Sequence, residues 1–100
     1  MSSRKFSLEL SSLAKRDFRD ILSYTTQMWG ERQLAEYKGV IDSSLNAIAE
    51  NPDAGCQRGK SDLQFRRAGQ HLIFYQTIGE TIFVVRILHG QMDIEFHLED

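Results

Sequence analysis

The chain has 100 residues, enough for one domain around a single core and too few for a second core. Twelve basic against fourteen acidic side chains give a net charge of −2, which excludes the overall positive field of proteins that hold nucleic acid by its phosphates. A lone cysteine excludes an internal disulfide. The sequence shows no signal-peptide pattern and no apolar run near the roughly 20 residues of a membrane span. We therefore expect one domain over residues 1–100 in the cytoplasm, away from membranes.

The N-terminal half of the chain predicts one strand followed by two helices. Lys5–Leu10 alternates apolar and polar side chains, which is typical of a half-buried strand, and we expect it at an edge of the sheet. A serine at position 11 or 12 supplies the N-cap of a first helix, whose pattern is interrupted at Gly30. A second helical pattern starts at Glu31 and ends at Asn51-Pro52, because proline cannot continue a helix. Two helices joined at one glycine predict an antiparallel hairpin.

Each predicted helix has an apolar stripe that is expected to face the sheet. The stripes are Ala14, Phe18, Ile21, Leu22, Thr25, Met28 and Trp29 in the first helix, and Leu34, Tyr37, Ile41, Leu45 and Ile48 in the second. The polar positions of the first helix are expected to form a solvated face, which comprises Lys15, Arg16, Asp17, Arg19 and Asp20.

The C-terminal half predicts a loop and then a meander of three strands. Residues 53–62 hold two glycines and almost no apolar side chains, which favours a loop. Leu63–Ala68 and Gln70–Thr77 follow as strands that meet at Gly69, since glycine tolerates the positive φ of a tight turn. Residues 79–80 make the next turn, which leads into the last strand.

The stretch Thr81–Asp93 begins with the strongest strand signal in the chain, eight residues of which only Arg86 is charged. Alternation places Ile82, Val84, Arg86 and Leu88 on one face, and Phe83, Val85, Ile87 and His89 on the other. Both faces are largely apolar and need cover, so we expect this strand to be central. The predicted fold is an α+β domain of order β-α-α-β-β-β, in which an antiparallel sheet carries a helical hairpin on one face.

The side chains give no signature of catalysis or metal binding. No nucleophile motif is present, and Cys56 has no neighbouring histidine in the loop. Cys56, His71, His89 and His97 lack the spacing of metal ligands, and strand histidines are more often structural than ligands. Dispersed glycines also disfavour a nucleotide site. We therefore expect no catalytic residue, no metal and no cofactor.

Basic residues on the loop and strands are the remaining candidates for recognition: Arg58, Lys60, Arg66, Arg67 and Arg86. Alternation puts Arg66 and Arg67 on opposite faces, so only a subset can act together. The equal alternative is that these are solvated charges, paired with Asp62 or Glu80. Arg86 differs, because an unpaired guanidinium on an apolar strand is costly, so it must be paired or lie in a groove. Asp93 is a candidate partner, or it bonds to His89 instead; we favour a bracing role for Arg86 over direct function.

Four motifs, taken with the order of elements, carry a family resemblance. They are A-x-x-D-F-x-x-I (Ala14, Asp17, Phe18, Ile21), N-P-D-A-G (Asn51–Gly55), H-L-I-F-Y (His71–Tyr75) and I-L-H-G-Q-M-D (Ile87–Asp93). Together they resemble the ParE toxins of bacterial toxin–antitoxin modules, within the ParE/RelE superfamily. The resemblance implies a toxin that inhibits DNA gyrase by binding, without covalent chemistry, and that forms a hetero-oligomer with a neutralising antitoxin. It also implies a role in plasmid maintenance. Gln91 stands where the family often has arginine.

The resemblance and the positions of loops and strand ends lead to two sets of expected contacts. For the target these are Arg58, Lys60, Arg66, His89, Gln91 and Asp93. For the antitoxin they are Phe6, Leu8, Leu10 and Arg86, on an edge strand able to accept an added strand. We expect Arg86 to face a groove rather than the helices and to bind a carboxylate from the antitoxin or from this chain. The sheet face away from the hairpin is expected to expose apolar surface, from residues 72–75 and 82–88, that the antitoxin covers.

Two alternatives stay open. The first is a RelE-like ribosome-dependent mRNA endoribonuclease, for which the acidic balance, the lone Lys60 in the loop and Phe96 in place of a tyrosine are a poor match. The second is a binding module without toxic activity. Direct sequence-specific binding of nucleic acid is not expected.

Overall fold

The computed structural model describes residues 6–57 and 63–90. Its elements are β1 Ser7–Leu10, α1 Ser12–Glu50, a 3₁₀ turn Pro52–Ala54, β2 Cys56–Gln57, β3 Gln64–Ala68, β4 His71–Ile78 and β5 Thr81–His89. The order confirms the predicted α+β fold and adds the short strand β2. No helix in the described ranges is long and apolar enough to span a membrane.

Helix α1 is broken at Gly30, as the sequence predicts. Gly30 has φ 88° and ψ 178°, far from helical values, so α1 consists of a first arm (residues 12–29) and a second arm (31–50). A straight helix of 39 residues would be about 58 Å long, yet the longest dimension of the molecule is 38 Å. The first arm begins directly after β1. The second arm ends beside the start of β1, where the Phe6 amide donates to the Ala49 carbonyl oxygen at 2.9 Å. The two arms therefore form the predicted hairpin.

The sheet has the order β1-β5-β4-β3-β2, with β1 and β2 at its edges among the described strands. This confirms β1 as an edge strand and β5 as an interior strand. The expectation of a purely antiparallel sheet is wrong at one pair, because β1 runs parallel to β5, from Ser7 opposite Thr81 to Leu10 opposite Val84. Only strands joined by tight turns are forced to be antiparallel, and the helical hairpin frees β1 from that constraint.

In the segment predicted as a loop, residues 53–62, the described residues include most of the 3₁₀ turn and β2, which pairs antiparallel with β3. The phenol of Tyr75 fixes this segment by donating to the carbonyl oxygen of Pro52 at 2.6 Å. A Cβ atom on Gly55 would lie 1.9 Å from the Tyr75 hydroxyl oxygen, so glycine is required there by close approach. Arg58 and Lys60 lie outside the described residues.

A β-bulge in β5 changes which side chains face the helices. Phe74 is opposite Arg86 while Tyr75 is opposite Val84, so Val85 is an extra residue in the ladder. The core under the hairpin consequently takes Ile87 after Val84. The prediction that Val84, Arg86 and Leu88 share one face of the strand is therefore wrong beyond the bulge.

The core lies between the hairpin and one face of the sheet. Its buried members are Ala14, Ile21, Ile41, Leu45, Ile48, Ala68, Ile73, Tyr75, Ile82, Val84 and Ile87, and Phe6, Leu8, Leu10, Phe18 and Tyr37 pack against it. On the opposite face Phe74 and Leu88 are also buried, and the rings of Phe74 and Phe65 lie 5.7 Å apart. Residues 72–75 and 82–88 are expected to expose apolar surface, yet Phe83 is the only exposed large hydrophobic residue in these two ranges. The expectation is therefore wrong for most residues of both ranges.

Candidate functional site: the cleft beside the hairpin tip

A cleft of about 430 Å³ lies between the end of the helical hairpin and the end of the sheet. We call it the hairpin cleft, and its lining is Tyr24, Thr25, Trp29, Gln33, Tyr37, Gln70, His71 and His89. The first arm of α1 supplies three of these residues and the second arm two. The others come from the β3–β4 turn, the start of β4 and the end of β5. The volume lies within the range of ligand pockets, and the lining mixes polar and aromatic side chains.

Tyr37 joins the second arm of α1 to the turn between β3 and β4. Its hydroxyl oxygen accepts a hydrogen bond from the Gln70 amide at 3.0 Å, lies 3.3 Å from the Ala68 carbonyl oxygen and is hydrogen-bonded to Nδ1 of His71. Gly69 between them has φ 61°, and a Cβ atom there would lie 2.7 Å from the Tyr37 ring. The turn therefore needs glycine both for its conformation and for the approach of Tyr37. These contacts fix the floor of the cleft.

The surroundings of His71 shift its pKa strongly. Burial is the main reason that the pKa of His71 is lowered from 6.5 to about 4, and the neighbouring His89 is the second reason. The charge of Asp17 opposes this shift. The rings of His71 and His89 lie 5.3 Å apart, edge to face, on residues paired across β4 and β5. His71 is therefore neutral at neutral pH, and with so low a pKa it is a weak general base there. Among the described residues, no three His, Cys, Asp or Glu side chains are grouped as metal ligands would be.

Arg86 is paired inside the molecule, and the partner is Asp17 of the first helical arm. Nε and Nη2 of Arg86 donate to the two carboxylate oxygens at 2.8 and 2.9 Å, and this hydrogen-bonded pairing raises the pKa of Arg86. The backbone amide of Ile87 donates to the same carboxylate at 3.0 Å. The two side chains are only 16% and 13% exposed. We call this arrangement the Asp17–Arg86 clasp.

The clasp corrects two predictions: Arg86 contacts the helices rather than a groove, and Asp17 is not part of a solvated face. The carboxylate that pairs with Arg86 comes from this chain, one of the two expected sources. Asp93, the suggested partner, lies outside the described residues. The cause is that β1 pairs with β5 only as far as Leu10, opposite Val84. Beyond that point α1 takes over the free edge of β5, where Ser11 bonds to Val84 and Val85 and Asp17 accepts from Ile87. The expectation that Arg86 braces the strand fits this arrangement.

The two arginines of β3 point to opposite sides of the sheet, as alternation predicts. Arg66 is opposite Ile73, whose side chain is in the core under the hairpin, and Arg67 is opposite Leu72. Nε of Arg66 is buried and makes no hydrogen bond with any part of the chain that the structure describes. Arg67 is exposed, and its Nε donates to the Gly69 carbonyl oxygen at 3.1 Å.

A second, polar cleft of about 380 Å³ is lined by Arg67, Gln70, His89 and Gly90. Gln70 and His89 thus belong to both clefts. Two of the expected target contacts are described. His89 lines both clefts, whereas Arg66 lies beside Ile73 and lines neither of them. Arg58, Lys60, Gln91 and Asp93 lie outside the described residues.

The sequence did not single out the aromatic residues of the cleft as functional. Tyr37 and Trp29 belong to the predicted apolar stripes, with Met28 beside Trp29, and Tyr24 has no predicted role. In the structure Tyr24, Met28 and Trp29 are exposed and make no part of the core, because they lie in the last two turns before Gly30. His71 was considered only as a structural strand residue. No signal in the sequence distinguishes an exposed stripe at a helix end from a buried one.

The chain is similar to known toxins in both sequence and fold. A family model described as the ParE toxin of the type II toxin–antitoxin system parDE matches residues 8–94. Toxin ParE1 of Caulobacter vibrioides is 35% identical over 91 residues, which cover 89% of this chain and 94% of that protein. The chromosomal ParDE system from P. aeruginosa contains a chain of the same fold, with a TM-score of 0.73 and 15% identity over 87% of this chain and 98% of that one. A chain of the toxin–antitoxin complex RelBE2 from Mycobacterium tuberculosis shares the fold at a TM-score of 0.61, with 17% identity over 91% of this chain and 98% of that one.

Proposed function

Because the chain belongs to the ParE toxin family of type II toxin–antitoxin systems, we propose that it inhibits DNA gyrase by binding to it and that an antitoxin neutralises it. The inhibition needs no covalent step by the toxin. It requires a rigid surface that is complementary to one state of gyrase, the state in which the DNA is cleaved. The small core, the braced turn at Gly69 and the Asp17–Arg86 clasp provide such a rigid scaffold.

The observation that carries this proposal is that the arginines of the described sheet do not converge. Arg86 is occupied by Asp17, and Arg66 and Arg67 lie on opposite faces. Cleavage of a phosphodiester needs cationic groups around the developing charge and an acid and a base with suitable pKa values. The cleft instead contains the neutral His71, with a pKa of about 4. This arrangement suits recognition of a partner better than ribonuclease chemistry.

For the antitoxin, the structure favours the outer edge of β1 as the contact. Among the described strands β1 has one neighbour, β5, so its other edge is available to an added strand. Leu8 and Leu10 pack against the core, so the backbone of β1, rather than these side chains, would supply most of the interaction. Arg86, the other expected antitoxin contact, is paired with Asp17 inside the chain.

The test adds the purified chain to DNA gyrase and plasmid in one reaction, and to translating ribosomes with messenger RNA in another. Accumulated double-strand breaks in the plasmid with intact RNA support the proposal, and addition of the protein encoded by the neighbouring gene should abolish the breaks. Cut RNA with normal supercoiling would instead establish the RelE-like ribonuclease. An effect on neither substrate would identify a binding module without toxic activity.

A further inference from the structure

We propose that the surface that contacts gyrase is the end of the helical hairpin, and that it binds the protein part of gyrase rather than its DNA. The surface consists of Tyr24, Met28 and Trp29, which we call the tip patch, together with the hairpin cleft beside it. This inference rests on the proposed function and adds the location and chemistry of the contact. It also differs from the contacts expected from the sequence, which were mostly basic residues of the loop and of β3.

The tip patch holds three of the seven exposed large hydrophobic side chains among the described residues. Tyr24, Met28 and Trp29 are 61%, 56% and 66% exposed and follow one another at spacings of four and one along the first arm. The other four lie at the start of the first arm, in the second arm, at the end of β4 and in β5. The two aromatic side chains alone expose roughly 200–300 Å². With Met28 the patch approaches the size at which exposed apolar patches on monomers are often functional. Tyrosine and tryptophan are also enriched among the residues that dominate binding energies.

The described lining of the cleft beside the patch is polar and aromatic. Tyr24 and Trp29 belong to its lining, which contains no lysine, arginine, aspartate or glutamate among the described residues. His71 is neutral at neutral pH for the reason given above. A charged group placed in the cleft would lose water without gaining a counter-charge, which is costly. The cleft therefore suits an apolar or aromatic side chain of a protein partner, and the lack of lysine and arginine in its described lining disfavours a DNA phosphate.

The position of the patch separates it from the proposed antitoxin contact. Tyr24 and Trp29 follow Ser11, the residue directly after β1, by 13 and 18 residues, which places them roughly 20 and 27 Å away along the first arm. A partner on the edge of β1 therefore leaves the tip exposed. A second copy of this chain is a weaker candidate, because a stable interface buries about 800 Å² on each partner and the patch offers about half of that. A large enzyme can enclose the tip and add contacts around it.

The experiment measures the concentration of purified chain that gives half-maximal plasmid cleavage by purified Escherichia coli gyrase. The test variants are Tyr24→Ala, Trp29→Ala and Gln33→Glu, the last of which places a charge in the cleft. The matched control is Ile78→Ala, because Ile78 is equally exposed, at 59%, and lies at the β4–β5 turn. Thermal unfolding and binding to the protein encoded by the neighbouring gene are measured for every variant.

The expected result is that Trp29→Ala raises the required concentration about 30-fold, the effect of losing one dominant side chain. Tyr24→Ala and Gln33→Glu should each raise it at least about 10-fold, with Ile78→Ala, unfolding temperatures and antitoxin binding unchanged. Variants that act on gyrase like the wild type would overturn the inference and leave the proposed function standing. Loss of antitoxin binding instead would assign the patch to the antitoxin, and self-association of the wild type that Trp29→Ala abolishes would assign it to a second copy. A wild-type chain without effect on gyrase would refute the proposed function, and this inference with it.

Discussion

Replacing Arg86 by leucine removes a bidentate ion pair from a largely buried position. The guanidinium bonds to Asp17 at 2.8 and 2.9 Å, and the carboxylate left behind is only 13% exposed. Removing one partner of a fully buried pair costs about 3–5 kcal/mol, because the remaining charge is desolvated and uncompensated. We take the lower end, about 3 kcal/mol, since both side chains keep some contact with water and Asp17 retains the Ile87 amide. A domain of this size should then lose on the order of 15 °C in unfolding temperature.

The assay is urea unfolding of four proteins: the wild type, Arg86→Leu, Asp17→Asn and the double variant. Asp17→Asn keeps the shape of the side chain and removes its charge, and we expect a cost of about 2 kcal/mol. The double variant should cost about 2 kcal/mol less than the sum of the single variants, because each charge is harmful mainly when its partner is absent. An Arg86→Leu protein within 0.5 kcal/mol of the wild type, or strictly additive costs, would refute the clasp. The folded Arg86→Leu protein should bind the antitoxin normally, whereas weakened binding would restore the groove that the sequence suggested.

Two further predictions concern the turn and the histidine that Tyr37 contacts. Gly69→Ala should cost about 1–2 kcal/mol more in urea unfolding than Gly79→Ala, since both glycines have φ near +60° but only Gly69 lies against the Tyr37 ring; equal costs would contradict this contact. The pKa of His71 is about 4 in the folded chain against 6.5 as its ordinary value, so the unfolded chain binds more protons between these pH values. The stability contributed by neutral His71 is complete above pH 6.5 and is lost as the pH falls toward about 4. Between pH 7 and 4 the free energy of unfolding of the wild type should therefore fall by about 1–2 kcal/mol more than that of His71→Gln, a figure reduced for the partial exposure of the ring. Parallel pH profiles of the two proteins would exclude this titration.

Local rules predicted most of the fold correctly. Gly30 interrupts the helix and the residues around Asn51-Pro52 end it, because both effects depend on the backbone of a few neighbouring residues. Gly69 likewise marks a turn with positive φ. The direction of β1 was not predictable in this way, since it pairs with β5 more than 70 residues later and no tight turn links the two strands.

The site was less predictable because it depends on contacts between distant elements. A bulge at Val85 cannot be recognised from alternating hydrophobicity, yet it decides which residues of β5 face the hairpin. The sequence pattern predicts Asp17 as a surface residue of an amphipathic helix. In the structure it lies beside Arg86, because β1 ends at Leu10 and the helix follows along the edge of β5. The stripe that contains Trp29 indicates one side of a helix, but not whether the core extends beneath it.

The most direct test of the account is a titration of gyrase by the purified chain at a fixed concentration of enzyme and excess plasmid. An inhibitor that acts by binding is consumed stoichiometrically, so double-strand breaks should rise with added chain and reach a plateau when every gyrase site is occupied. Addition of ribosomes and messenger RNA to the same titration should give no RNA cleavage. RNA cuts that outnumber the molecules of chain added, with no breaks in the plasmid, would show catalytic turnover and would contradict the account.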